Sequence, residues 1–429
     1  MKITKLKEVA QIITGFPFKG DQYSEDGIRT VRWENVTEGN LRWDTIKCWN
    51  QTFDKENEYL LKWDDIVIGM DGSKVGRNKA RIKETDLPLL LAQRVACVRA
   101  INDNDQVFLY YLINNPRFED YVFRTQTGSS VPHISKTQIE DFQIPKLGYT
   151  NQQKIASILS DLDSKIELNN NINTELEAMA KTLYDYWFVQ FDFPDANGNP
   201  YKTSGGEMVW SEELKREVPK GWEVKKIGDL IDEYKGGDWW KDESSWNYIK
   251  EVFCIRGADI NGLNGKEQCN PPKRFILEKN DHKLLKSYDL IIEISGGSPI
   301  QSTGRIAHIS STLSERFKRP LICSNFCKAL TLKDYKLTYN FHYFWNRLYD
   351  NNILFGYEGK TSGIKNFLFD SFVNTVYLAI PNKKTKESFF DFMEQTENKR
   401  QKILEENQKL AELRDWLLPM LMNGQVVVQ

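Results

Sequence analysis

The chain repeats itself over about half its length, and this duplication constrains the fold more than any other feature. The matched segments occur in the same order in both copies, and the offset grows slowly, as loop insertions in the second copy would produce. The matched pairs are 3–9 with 224–230, 31–36 with 255–260, 65–68 with 289–292, 76–77 with 304–305, and 144–145 with 380–381. A chain of 429 residues is too long for one compact core, so each copy is expected to form its own domain.

Each copy has the pattern of a mixed α/β domain. Short apolar runs at 66–68 and 290–294 are bounded by glycine and serine and predict buried strands. The runs 108–113 and 341–345 are typical of helices. The sequence therefore predicts an α/β (α+β) tandem repeat with globular domains at 1–147 and 219–383.

A long helical pattern follows each copy. Within the runs 155–166, 176–187, 389–393 and 410–421, apolar residues recur at steps of three or four, which is the spacing of a coiled-coil seam. In the first pattern these are Ile155, Leu159, Leu162, Ile166, Leu176, Met179, Leu183 and Trp187; in the second they are Phe389, Met393, Ile403, Leu410, Leu413, Leu417 and Leu421. The pattern predicts spacer helices at 150–190 and 385–422, with an extended linker at 191–218.

One asparagine interrupts each seam, Asn173 in the first helix and Asn407 at the equivalent place in the second. A polar residue on a seam costs stability but fixes register and partner. We therefore expect the two helices to pair with each other. Antiparallel pairing would hold the two domains at opposite ends of a rod of about 54 Å, given 1.5 Å per residue over roughly 36 residues. The alternative is two amphipathic helices that each pack on their own domain.

Composition argues against several classes of protein. The net charge of −2 does not favour nucleic-acid binding, so any surface that faces DNA must be a local basic patch. Six cysteines without a CxxC pair and only four histidines favour reduced thiols over a metal site, and we expect no metal or cofactor. Neither a signal peptide nor a membrane span is indicated, so the sequence predicts a soluble, cytoplasmic protein with no membrane partner.

Motifs near the end of each copy carry a family resemblance. The first copy has Gly-Ser-Ser-Val-Pro-His-Ile-Ser at 128–135, followed after Pro145 by Gln-Gln-Lys-Ile-Ala-Ser-Ile-Leu at 152–159 and Asp-Ser-Lys-Ile at 163–166. The second has Pro-Lys-Gly-Trp-Glu-Val at 219–224 and Gly-Ile-Lys-Asn at 363–366. With these motifs the chain resembles the specificity (S) subunits of type I restriction-modification systems over nearly its whole length. The second copy lacks the Gly-Ser-Ser-Val-Pro run, so its loop should differ in shape.

The resemblance implies a fold and a role. It implies two globular target recognition domains separated by two long antiparallel coiled-coil helices, with each domain contacting one half of a split site in double-stranded DNA. It also implies docking of two methyltransferase (M) subunits on the helices, joined by restriction/translocase (R) subunits. The chain itself would be a non-catalytic DNA-recognition subunit. Because the two copies have diverged, the two half-sites should differ.

Candidate DNA contacts fall into two groups. Cations that follow a phosphate backbone are expected at Lys74, Arg77, Lys79 and Arg81, the last three alternating on one face of an extended segment, with Arg305 in the matching segment of the second copy. A solvated strand face is an equally good interpretation. Residue types that contact base edges stand in segments expected to be loops: Arg32, Asn35, Gln126, Ser129, His133, Lys360, Lys365 and Asn366.

Two other kinds of protein remain as alternatives. A self-contained DNA adenine methyltransferase or nuclease is suggested by Asn270-Pro271-Pro272-Lys273 and by Pro194-Asp195 with 213–215. Lys273 cannot stack on a flipped base, and the second set lies in a turn-rich stretch without strands to fix two carboxylates. A coiled-coil adaptor that binds no nucleic acid is the third interpretation.

Overall fold

The computed structural model describes residues 2–53, 56–128, 130–238, 240–267, 269–296, 298, 301–361 and 364–422. The chain divides into two compact units. The first comprises residues 1–166 with the C-terminal segment from residue 409, and the second comprises 167–408.

The first unit is a mixed α/β domain. Its strands are β1 Ile3–Lys5, β2 Ala10–Thr14, β3 Ile28–Val31, β4 Glu38–Gly39, β5 Cys48–Trp49, β6 Ile66–Gly69, β7 Lys79–Arg81, β8 Leu89–Leu91, β9 Val95–Ala100 and β10 Gln143–Pro145. Its helices are α1 Glu56–Tyr59, α2 Gln106–Ile113, α3 Pro116–Thr125, α4 Lys136–Glu140 and the start of α5 Tyr149–Tyr184. The strand and helix predicted at 66–68 and 108–113 are confirmed.

Two sheets form the frame of this unit. The larger has the order β2-β9-β6-β7-β4, and a smaller one has the order β5-β3-β8 with β3 and β8 parallel. All four residues of β6 are buried, which explains its continuous apolar sequence. Helices α2 and α3 pack on the larger sheet around Phe108 and Phe118, and the segment from residue 409 adds Leu418 and Leu421 to the same core.

The second unit repeats this architecture. Its strands are β11 Met208–Ser211, β12 Arg216–Pro219, β13 Glu223–Lys226, β14 Ile231–Gly236, β15 Tyr248–Ile255, β16 Lys273–Leu277, β17 Leu290–Glu293, β18 Ser295–Gly296, β19 Ile306–His308, β20 Leu321–Cys323, β21 Cys327–Leu332, β22 Glu358–Thr361, β23 Ile364–Phe367 and β24 Tyr377–Ile380. Its helices are α6 Ile260–Leu263, α7 Ser311–Phe317, α8 Thr338–Asp350, α9 Phe369–Thr375 and α10 Lys383–Met422.

Apart from the edge strand β4, the strands of these sheets in the first unit have counterparts in the second. The order β14-β21-β17-β19 matches β2-β9-β6-β7, and β16-β15-β20 matches β5-β3-β8, again with one parallel pair. The antiparallel pair β13–β24 matches β1–β10. The tandem repeat predicted from sequence is therefore present in the topology.

One matched pair from the sequence is displaced by one residue. The Gly69 N–H donates to the carbonyl of Asn78, and the Glu293 N–H donates to that of Arg305. Arg305 therefore corresponds to Asn78, and the prediction that it matches Arg77 is wrong. The reason is the connection before it, which runs 78 − 69 = 9 residues in the first copy and 305 − 293 = 12 in the second.

The segment predicted to be an extended linker contains a folded hairpin. Strands β11 and β12 pair in register from Met208↔Pro219 to Ser211↔Arg216. Phe191 and Phe193 pack with Trp222 in an aromatic cluster of the second unit. Burial of these rings supplies the apolar contacts that a solvated linker would lack.

The two long helices pair antiparallel with a seven-residue repeat. In the second unit, Glu177 contacts Arg400 at 2.8 Å, and Asn407 donates to Asn170 at 2.8 Å. In the first unit, Asp163 contacts Arg414 at 2.8 Å. Successive contacts step by seven residues forward on α5 and seven backward on α10, as expected for antiparallel helices with a heptad seam. The predicted pairing is confirmed.

The two seam asparagines have different environments. Asn407 accepts from Asn169 at 2.9 Å in addition to its bond to Asn170. Asn173 is buried, and neither its side-chain oxygen nor its nitrogen has a hydrogen-bond partner among the described residues. The register places Leu404 opposite Asn173. Asn173 therefore faces an apolar residue, whereas Asn407 faces the polar Asn170.

No helix in the described ranges combines the length and the apolar character that crossing a membrane requires.

Candidate nucleic-acid interface

In the first unit, the segment that leaves β6 meets a turn that precedes α4. The Gly72 N–H donates to the carbonyl of Pro132 at 3.0 Å, and the Ile134 N–H donates to that of Met70 at 2.9 Å. Thr127 and His133 exchange two backbone hydrogen bonds of 2.9 and 2.8 Å. We call residues 70–77 and 126–134, without the undescribed Ser129, the first loop cluster.

The second unit has the same arrangement, built from short strands. Strand β18 pairs with β23, β23 pairs with β22, and the Phe367 N–H donates to the carbonyl of Ile294 at 2.9 Å. We call the described residues among 294–304 and 358–367 the second loop cluster.

The two loop clusters share one register. Asp71 lies opposite His133 as Ser295 lies opposite Asn366. On the other side, Thr127 lies opposite His133 as Gly359 lies opposite Asn366. The sequence candidates Gln126 and His133, and Lys360, Lys365 and Asn366, are thereby brought to equivalent loops. Ser129 lies outside the described residues.

A polar triad occupies the first loop cluster. The Asp71 carboxylate contacts the Nδ1 atom of His133 with one oxygen and the Nε atom of Arg94 with the other, at 3.2 Å. The side chains of His133 and Arg94 are 42% and 60% exposed, whereas that of Asp71 is 11% exposed. Arg94 also has a positive φ of 66° at the turn between β8 and β9. The triad therefore presents two polar groups to solvent from a nearly buried carboxylate.

The predicted row of cations is interrupted. The side chains of Lys74 and Arg77 are both 63% exposed, and their ion-pair partners are the partly exposed Glu38 and Glu119. Lys79 is 1% exposed and donates to Glu119 and to the carbonyl of Gly76, each at 2.8 Å. Burial lowers the pKa of Lys79, and the Glu119 carboxylate opposes this shift. The prediction that Lys79 lies on a surface row is therefore wrong.

Arg81 is also held by an acidic partner. Its Nε donates to Asp64 at 2.7 Å, and its side chain is 27% exposed. Only Lys74 and Arg77 of the predicted row thus present largely exposed cationic groups.

Arg32 and Asn35 form the frame of a neighbouring turn. Asn35 is 1% exposed; its side chain accepts from the Arg32 N–H and donates to the carbonyls of Arg42 and Thr45. The prediction that Asn35 faces a base is wrong, because these bonds occupy its amide inside the turn. Arg32 pairs with Glu34. Between them Trp33 is 39% exposed and lies against Gly72.

Ion pairs to buried carboxylates lie within and directly beside the second loop cluster. Arg305 is 12% exposed and makes two bonds of 2.8 Å to Glu293, so its guanidinium is already engaged. Lys365 lies 3.4 Å from the buried Glu358, which also accepts from the Thr303 N–H. Glu293 and Arg305 line a polar cleft of about 370 Å³ together with Asn261, Ser298, Gln301 and Thr303.

Sequence reasoning missed Asp71, Trp33 and Arg94. Asp71 followed by Gly72 directly after a buried strand is a turn signal that pointed to this loop. No local signal marks Arg94, because the fold alone brings it beside Asp71.

Two enzyme-like features raised by the sequence can be compared with the structure. In the described ranges, no group of three His, Cys, Asp or Glu side chains is arranged to hold a metal ion. Lys273 of the Asn-Pro-Pro-Lys sequence begins β16, and its ammonium lies 3.6 Å from Glu251.

The fold and the two loop clusters define a duplicated module with one loop cluster in the same register on each copy. The family model of the type I restriction modification DNA specificity domain matches residues 1–178 and 219–414. The chain belongs to this family of type I restriction-modification specificity subunits.

Individual relatives agree with this assignment. The type I restriction enzyme MjaIX specificity subunit of Methanocaldococcus jannaschii is 27% identical over 333 residues, which cover 75% of this chain and 69% of that one. The MjaVIII specificity subunit of the same organism is 27% identical over 187 residues, or 42% of this chain and 44% of that one. The crystal structure of a type I system S subunit from M. genitalium has a TM-score of 0.58 at 14% identity, covering 98% of this chain and 96% of that one. That structure supports the fold.

Proposed function

We propose that this chain is a non-catalytic DNA-recognition subunit that binds an asymmetric bipartite site, one half-site per copy. The observation that carries the proposal is the pair of loop clusters, which occupy one register in two copies of the same module. Equivalent placement argues for a shared task, and different side chains at those places argue for different base preferences.

Charge supports a division between positioning and reading. Lys74 and Arg77 are the exposed cations of the first loop cluster that suit contact with phosphates. Gln126, Ser129 and His133 in the first copy, and Lys360, Lys365 and Asn366 in the second, supply groups for base edges. Structural roles remain for the buried residues, which hold the turns and strands next to the loops through their internal bonds: Lys79, Asn35 and Arg305. Arg81 and Arg32, which have acidic partners, lie next to these loops.

We propose that the helix pair docks the partner enzymes, two methyltransferase subunits and, through that assembly, restriction/translocase subunits. The contacts between the helices occupy one stripe of α5 and α10. Large apolar side chains remain exposed on other faces, including Leu168 and Met179 on α5 and Trp416 on α10, at 54%, 56% and 59%. The prediction that Met179 lies on the seam is therefore wrong. Exposed apolar groups on a helix are typical of a surface that another chain covers.

The test is methylome mapping of DNA modified by this chain together with its methyltransferase partner. We expect methylation at one asymmetric, two-part sequence, and neither methylation nor cleavage by the chain alone. Catalysis by the chain alone would establish a self-contained enzyme instead. Failure of the chain with its partner to bind any duplex would leave an adaptor without a nucleic-acid ligand.

A further inference from the structure

The Asp71 carboxylate is shared between two partners that differ in what they can exchange. Arg94 can only donate, because a guanidinium has no acceptor. His133 can donate or accept at Nδ1 according to its tautomer. A carboxylate accepts only, so the His133 ring must place its hydrogen on Nδ1 to bond with Asp71.

The hydrogen on Nδ1 determines what the outer nitrogen of a neutral ring can do. With the hydrogen on Nδ1, a neutral imidazole carries a lone pair on Nε2, which is therefore an acceptor. The ring is 42% exposed, and no described residue bonds to its Nε2 atom. An acceptor at a DNA-facing position matches the exocyclic amino groups that adenine and cytosine present in the major groove.

We propose that His133 is a specificity-determining residue that accepts a hydrogen bond from the amino group of one adenine or cytosine in the first half-site, and that Asp71 is its positioning residue. This rests on the proposed function, because it assumes that the first loop cluster faces DNA.

The second copy also has an oriented polar side chain at the position equivalent to His133. There Ser295 Oγ donates to the Oδ1 atom of Asn366 at 2.7 Å. Each copy thus places a polar side chain at the same point of the loop cluster and orients it by the residue opposite. The pair Asp71–His133 and the pair Ser295–Asn366 differ in chemistry, so this one position contributes to the difference between the half-sites.

The decisive variant is Asp71→Asn, which has nearly the same shape. An NH₂ group facing Arg94 would oppose two donors, so the new amide turns its oxygen toward Arg94 and its NH₂ group toward His133. The ring must then accept at Nδ1 and carry its hydrogen on Nε2. An N–H at Nε2 matches the carbonyl groups of guanine or thymine instead of an amino group.

The measurement is methylome mapping, supported by selection from a duplex library randomised across the first half-site, with the full chain and its methyltransferase partner. We expect D71N to change the preference at one base from adenine or cytosine to guanine or thymine by about tenfold or more. The remaining positions of the first half-site and the whole second half-site should be unchanged, which also reports that the variant folds.

A second variant guards against an unstable D71N protein. The double substitution Asp71→Ser with His133→Asn copies the pair of the second unit and should also alter the preference at that one base only. An unaltered preference in both variants, or a wild-type preference for guanine there, overturns the inference while the bipartite site stands. Absence of any site with the wild-type chain and its partner would instead overturn the proposed function.

Discussion

Exposure separates the roles of cations that look alike in the sequence. Lys74 and Lys79 are five positions apart, yet one ammonium is in solvent and the other lies beneath helix α3 beside Glu119. A phosphate contact requires an ammonium that can reach the DNA without losing a buried partner. We therefore propose that Lys74 and Arg77 position the DNA.

We expect the double substitution Lys74→Ala with Arg77→Ala to weaken binding to all duplexes about equally. Each lost phosphate contact should reduce the slope of log affinity against log salt by about 0.9, so by roughly 1.8 together. Titration of a duplex at several salt concentrations measures this. Lys215→Ala removes an equally exposed lysine from the β11–β12 hairpin and is the matched control. An unchanged slope would remove these two residues from the interface.

Two buried histidines make the second unit sensitive to acid. His308 and His342 are 7% and 3% exposed, and their rings lie 4.7 Å apart. Burial lowers the pKa of both; nearby Glu397 opposes the shift at His308, and Arg400 adds to it. Glu177 and Glu394 are the other carboxylates whose charge acts on His308.

The sign of the pH dependence follows from these shifts. The unfolded chain takes up protons on both rings below about pH 6.5, and the lowered pKa of each ring means that the native state takes them up only at a lower pH. Stability should therefore be full above that pH and fall below it, by up to about 1.4 kcal/mol per pH unit for each histidine. Denaturant unfolding at pH 7.5 and 5.5 measures the loss.

The matched control for this prediction is an exposed histidine. His308→Gln with His342→Gln should flatten the dependence between these pH values, whereas His282→Gln should leave it intact. Equal slopes in the two variants would show that the buried pair does not cause the acid sensitivity.

At the scale of elements, the helix pair is specified by polar contacts as well as by its apolar seam. Contacts at 163, 170 and 177 on α5 meet 414, 407 and 400 on α10, so each heptad carries one polar cross-link. Sliding one helix by a heptad would break all three. Asn407 contributes to this register through two hydrogen bonds, whereas the buried Asn173 contributes none.

The two asparagines should therefore respond oppositely to the same substitution. Asn173→Leu removes an unsatisfied buried amide opposite Leu404 and should raise the free energy of unfolding by about 1–3 kcal/mol. Asn407→Leu deprives Asn169 and Asn170 of a partner and should lower it by about 1 kcal/mol or more. Urea unfolding of both variants measures this. A loss of stability in the Asn173→Leu protein would contradict the assignment of an unsatisfied amide.

The sequence predicted the elements whose burial produces a recognisable apolar pattern, either a continuous run or a heptad repeat. Strands β6 and β17 are continuous apolar runs, and both long helices carry heptads, so these were identified. The sequence could not predict the burial or the partner of a side chain when these depend on an element distant in the chain. Lys79 is paired with Glu119, forty residues away. Arg94 contacts Asp71 because the fold brings its turn beside that carboxylate. The folded hairpin at 208–219 depends likewise on the aromatic cluster beneath it.

At the scale of the whole chain, the two copies share their sheets and differ in the side chains of their loop clusters. Apart from the edge strand β4, the sheet orders and the register of the loop clusters are the same in both copies. The side chains at that register are not: Asp71 with His133 in one, Ser295 with Asn366 in the other. Each pair makes its own hydrogen bond, so one pair can replace the other without leaving a polar group unpaired. We therefore expect each copy to acquire its own base preference without refolding.

We propose that the helix pair sets the gap between the half-sites, and the heptad register makes this testable. Seven residues inserted into both helices at equivalent points, after Asn171 in α5 and after Glu405 in α10, preserve the seam because seven residues complete two turns of a coiled coil. The insertion lengthens each helix by roughly 10 Å. At 3.4 Å per base pair, we expect the gap in the methylated sequence to grow by about three base pairs, with both half-sites unchanged.

Insertion into α5 alone is the control and should disrupt pairing, since α10 then has no matching heptad. A gap of unaltered length in the double insertion would show that something other than the helices measures the distance.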